Sequence, residues 1–118
     1  MKPLNARPVL AVNDIASTSQ WFADVFECTL HEIDNGNWVF AENGDLTFML
    51  GHCPDERPAR EIGDHSYLAY IVVDDVRAVY DRAKNAGAEI LSGPHVQPWG
   101  RTEMVLRAPE GHRFMVAQ

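Results

Sequence analysis

Val9-Leu10-Ala11-Val12-Asn13-Asp14-Ile15 carries a short apolar strand into an Asp that can cap a helix, followed by a β-branched apolar residue. Tyr70-Ile71-Val72-Val73-Asp74-Asp75-Val76 repeats the pattern about half the chain later. Helical spacing follows each Asp: Ile15, Ser19, Phe22, Val25 and Phe26 in the first copy, and Val76, Val79, Tyr80, Ala83 and Ala86 in the second. Gly87 stands where a C-cap belongs, with Glu27 near the corresponding place in the first copy.

Beyond the first helix, Leu30 to Ile33, Trp38 to Ala41 and Leu46 to Leu50 are apolar runs separated by Asn35-Gly36 and Asn43-Gly44, the signature of a β-meander. The second copy offers Ala88 to Leu91, a long connection through Gly93-Pro94 to Gly100, Glu103 to Arg107, and Phe114 to Ala117. Each half reads βαβββ. One such unit cannot bury both faces of its sheet, so the expectation is an α+β fold. Two modules form a curved mixed sheet around a cleft, with helices over residues 15–26 and 76–86 outside. The chain is read as one domain, 1–118, with modules at about 7–51 and 65–118. The polar linker of about 51–64 is expected to be solvated and to lack a core of its own.

The chain carries 10 Lys plus Arg against 17 Asp plus Glu, a net charge of −7. That balance disfavours a phosphate-tracking surface, so nucleic acid is not an expected partner, whereas an acidic rim would attract a cation. Cys28 and Cys53 form no C-x-x-C pair and are too few to staple a secreted fold. No apolar run approaches the roughly 18 residues that span a bilayer, and the start of the sequence lacks a signal-like apolar region. The expectation is a cytoplasmic protein with no membrane partner. There is no Gly-x-Ser-x-Gly elbow and no Gly-rich phosphate loop, so no catalytic residue is nominated.

Gln97-Pro98-Trp99-Gly100-Arg101-Thr102-Glu103, then Arg107-Ala108-Pro109-Glu110-Gly111-His112, joins an aromatic turn to a strand and a Gly-punctuated hairpin. With the Pro8-Val9-Leu10 opening and the Trp21-Phe22 pair, this resembles the vicinal oxygen chelate superfamily of glyoxalases, extradiol dioxygenases and bleomycin-resistance proteins, with the last the nearest in motif. Ala108 stands where that family usually has an acidic residue. The resemblance covers about Pro8 to Ala117.

The resemblance implies metal ligands on the first and last strands of each repeat, and motif spacing sends these positions to Arg7, Phe48, Leu68 and Met115. An Arg and three apolar side chains do not coordinate a divalent cation, so no metal and no cofactor are expected. His31, His52, His65, His95 and His112 show no metal-ligand spacing along a strand. The cleft positions implied are instead Trp38, Phe48, Leu68, Tyr70, Trp99 and Met115, an aromatic and soft set suited to stacking on planar or cationic compounds. Arg101 is a further ligand contact, the salt-bridge partner of Glu103, or a hydrogen-bonding residue that fixes the turn.

The function implied is metal-independent binding of a small molecule, sequestering a planar or cationic antibiotic-like ligand as in antibiotic resistance. A homodimer is expected to complete two clefts, with the Met1 to Arg7 arm as a candidate exchanged segment. Alternatives are a metal-dependent lyase or dioxygenase of the same superfamily, or a metal-free enzyme using Arg7, Arg101 or Tyr70.

Overall fold

Asp14 and Asp75 do cap the two helices. In the computed structural model, which describes residues 1–63 and 67–118, the Asp14 carboxylate accepts from Ser17 N at 3.1 Å and that of Asp75 from Ala78 N at 3.0 Å. The elements in order are β1 (Val9–Val12), α1 (Ile15–Phe26), β2 (Thr29–Ile33), β3 (Trp38–Asn43), β4 (Leu46–His52), β5 (Tyr67–Val72), α2 (Val76–Asn85), β6 (Glu89–Val96), β7 (Thr102–Arg107) and β8 (Arg113–Ala117). This is the expected α+β arrangement of two βαβββ modules. Hydrogen bonding divides the strands into two four-stranded mixed sheets, β1-β4-β3-β2 and β5-β8-β7-β6, with β1–β4 and β5–β8 parallel. His65 lies outside the described residues.

Alternation along the strands separates two faces. On one, Leu10, Val12, Val39, Ala41, Phe48 and Leu50 of the first sheet are buried, as are Ile71, Met104, Leu106, Phe114 and Val116 of the second. Helix α1 packs on β3 and β4, α2 on β6 and β7, and the helices touch each other. The modules meet through Phe22, whose ring lies 4.8 Å from Phe48 and 5.7 Å from Phe114, with Phe48 and Phe114 5.3 Å apart. No helix among the described residues is long and apolar enough to cross a membrane.

Two segments depart from expectation. The connection after β4 is not merely solvated: Ala59 in its 3-10 turn (Ala59–Glu61) is buried, and Arg60 N donates to Glu110 O at 2.8 Å. Glu110 also reaches the other module, its two carboxylate oxygens accepting from Asn13 N at 2.6 Å and Asp14 N at 2.7 Å. Strand β6, expected to stop near Leu91, continues through Gly93-Pro94 to Val96 with two register shifts. Proline is tolerated there because β6 is an edge strand. Gly93 is needed because a Cβ would sit 2.5 Å from the Glu103 carbonyl oxygen.

Candidate functional site

The sheet faces turned away from the helices are left open. On the second sheet, Tyr70 pairs with Met115 on β8, and Met115 with Val105 on β7, giving one row across three strands. The next row pairs Val72 with Ala117, Ala117 with Glu103, and Glu103 with His95. Tyr70 therefore lies two strands over and one row along from Glu103 on the same face, a gap that their two long side chains close.

Glu103 is the hub of this face. It is 5% exposed, and its Oε2 accepts hydrogen bonds from the Tyr70 hydroxyl and from Trp99 Nε1 at 3.1 Å. The loop between β6 and β7 presents Trp99 by folding back, with Gln97 N donating to Arg101 O at 2.8 Å and Gly100 N to Gln97 O at 2.9 Å. Both rings remain accessible, Tyr70 at 47% and Trp99 at 66%. The hydrogen bond to Glu103 pushes the Tyr70 phenol above its ordinary pKa, helped by partial burial and the Glu103 charge and opposed by Arg101. Arg101 is exposed and acts on the corner through its charge. The salt bridge anticipated between Arg101 and Glu103 gives way to the two aromatic donors.

The remaining candidates are distributed over both sheets. Met115 is half-buried beside Tyr70, and Leu68 is exposed where a register shift between Tyr67 and Ala69 interrupts β5. Trp38 lies on the first sheet opposite Gly51, where a Cβ would come within 3.1 Å of its ring. Trp38 and Trp99 thus belong to different sheets. Arg7 is exposed in the segment before β1.

Phe48 requires correction: it is fully buried against Phe22 and Phe114, on the helix side of its sheet. Its neighbour Met49, paired with Val9 and Phe40, takes the open face. The reason is register. Leu46, two after Gly44, pairs with Asn43 on the same side of β3 as the buried Val39 and Ala41, whereas Arg113, two after Gly111, pairs with Arg107 on the same side of β7 as Glu103 and Val105. Counting equally from Gly44 and Gly111 therefore lands on opposite faces of a period-two strand.

Among the described residues no three His, Cys, Asp or Glu side chains gather as a metal site. His31 faces Glu42 at 3.3 Å, and His112 is buried, its pKa lowered by desolvation. Burial pushes the Cys28 thiol up to about 11, which removes it as a nucleophile at neutral pH. A groove of about 320 Å³ beside the corner includes Pro8, Leu46, Thr47, Tyr70 and Val72. A larger cavity of about 400 Å³ lies between the ends of α1 and β5 and the start of α2, away from Trp99 and Glu103.

The family model of the Glyoxalase/Bleomycin resistance protein/Dioxygenase superfamily matches residues 6–116. The chain belongs to this superfamily. Among solved structures, a bleomycin-binding protein in complex with bleomycin is 24% identical with a TM-score of 0.75, covering 98% of each chain. A bleomycin resistance determinant encoded on the transposon Tn5 is 25% identical with a TM-score of 0.75, again over 98% of both chains. Lactoylglutathione lyase from Agrobacterium tumefaciens is 19% identical with a TM-score of 0.71, over 98% of this chain and 94% of that one. A search of curated proteins finds no match. Within the superfamily fold, Glu103 was missed as a site residue. Its signal was present in the sequence, four residues after Trp99 on the strand that the aromatic turn feeds.

Proposed function

We propose that this superfamily member binds a planar, cationic, antibiotic-like small molecule on the open face of its second sheet and releases it unchanged. The observation that carries this reading is the Tyr70–Glu103–Trp99 corner. Two accessible aromatic rings are tethered by their polar ends to one buried carboxylate, so they can stack on a ligand without first being ordered. The net charge of −7 favours approach of a cation. Binding needs no metal: Arg7 before β1 and Met49, Leu68 and Met115 on their strands stand at the positions concerned, and none of them is a ligand for a divalent cation.

A second copy of the chain covers the open faces. Val9, Tyr70 and Val72 are about half exposed on them, an apolar surface that a symmetric partner can cover. Trp38 then joins the site as a wall from the other sheet.

Titration with bleomycin and with planar cations, followed by tryptophan fluorescence, tests the reading. Trp99→Ala is expected to weaken binding roughly ten- to a hundredfold while leaving the melting temperature unchanged, and EDTA is expected to leave affinity unchanged. Affinity untouched by both Trp38→Ala and Trp99→Ala would place the ligand elsewhere. Turnover of a bound probe would favour instead a metal-free enzyme in which Tyr70 acts as an acid.

A further inference from the structure

Glu103 uses only half of its carboxylate. The Tyr70 hydroxyl and Trp99 Nε1 both donate to Oε2, and Oε1 has no partner among the described residues. Oε1 is not among the buried side-chain atoms that lack a partner, so it stays within reach of solvent, and a ligand that covers it must replace its water with a donor. A bracket for two rings requires one oxygen. The second is left over.

The strand ladder fixes where Glu103 stands. Glu103 is held between Ala117 on β8 and His95 on β6, and the bare Gly93 backbone closes against its carbonyl. A donor that reaches Oε1 arrives beside Trp99 and Tyr70, whose ring faces favour positive charge. Arg101 is the nearby cation whose charge is felt at Tyr70, but it is exposed and leaves the carboxylate to the aromatic donors.

We propose that Glu103 determines the specificity of the site: Oε2 holds Tyr70 and Trp99 in place, and Oε1 receives an N–H from a protonated amine, amidinium or ring nitrogen of the ligand. This rests on the reading that the open face of the second sheet binds a planar molecule, and adds the chemical group by which that molecule is chosen. A flat compound without such a group keeps its stacking contacts and leaves Oε1 unpaired, which is where discrimination arises.

Proflavine, a planar cation bearing N–H donors, and acridine, the same ring frame uncharged in mildly alkaline buffer, are suitable probes for the full-length protein. The wild type is expected to prefer proflavine by roughly ten- to a hundredfold in dissociation constant, the usual worth of a charge-assisted hydrogen bond. Glu103→Gln keeps a carbonyl oxygen for Tyr70 and Trp99 and replaces the other oxygen with a donor. Its preference should collapse to within about threefold, with acridine affinity retained. Tyr70→Phe, which leaves Oε1 untouched, should keep the preference even if Glu103→Gln does not fold. Equal binding of the two probes by the wild type overturns the role of Oε1 while the binding reading stands, as does a preference that survives Glu103→Gln or is lost in Tyr70→Phe. Failure of both probes to saturate the wild type overturns both readings.

Discussion

The two modules share strand order and parallel outer pairing, yet they fill the common core unequally. Phe22 on α1 and Ala83 on α2 stand at the same distance from their capping Asp residues, and both are fully buried. Only one of the two positions carries a ring. Phe48 and Phe114, on β4 and β8, already converge on Phe22, and a close-packed interior has no room for a second ring from α2. The open faces diverge as well. The first sheet presents Trp38, Phe40 and Met49 with no buried carboxylate among them, whereas the second anchors its aromatics on Glu103. Duplication therefore fixes the backbone and leaves side chains free to divide the work, with α1 filling the core and the second sheet carrying the polar anchor.

The sharpest attack on this comparison is Phe22→Ala, expected to cost about 3–5 kcal/mol in urea unfolding because the cavity lies where three elements meet. Ala83→Gly should cost only about 1 kcal/mol, and similar losses in the two variants would refute the unequal filling. The helix starts differ too. Glu110, from the second module, holds the Asn13 and Asp14 amides, while Gln118 Oε1 holds Val76 N at 2.8 Å within its own module. Glu110→Ala should therefore destabilise by about 2 kcal/mol and Gln118→Ala by about 1 kcal/mol. The reverse order in thermal denaturation would mean that the tie between modules is not the stronger one.

The caps allow a finer comparison. Asp75→Ala should cost about 1 kcal/mol at neutral pH. Asp14 has its pKa lowered, chiefly by the Ser17 amide. Its contribution is present above the ordinary Asp value of 3.8 and is lost as pH falls through the lower folded value. The stability gap between wild type and Asp14→Ala should thus be open at neutral pH and close in acid, which unfolding measured across pH will show. The smallest effect belongs to the helix ends. Glu27 takes the left-handed conformation, φ 55°, that Gly87 supplies after α2, and pairs with Arg82 at 3.1 Å across the modules. Glu27→Gly should stabilise by about 0.5 kcal/mol, relief of backbone strain outweighing loss of an exposed ion pair.

Local signals were sufficient for the elements themselves. The repeated strand-Asp-helix segments, both caps, the helix spans and the meander turns depend on neighbours within a few residues, so they could be read from Val9–Ile15 and Tyr70–Val76. The family could be read as well, because its motifs are contiguous. Face, partner and closure were not local. Strand side chains alternate with a period of two, so the pairing of Leu46 with Asn43, against that of Arg113 with Arg107, turned Phe48 inward and Met49 outward. Only tertiary packing brought Tyr70 across to Glu103, tied Arg60 and Asn13 to Glu110, and extended β6 through Pro94. Each of these depends on atoms distant in sequence competing for one hydrogen-bonding group or one volume, and no residue's own preference specifies which competitor wins.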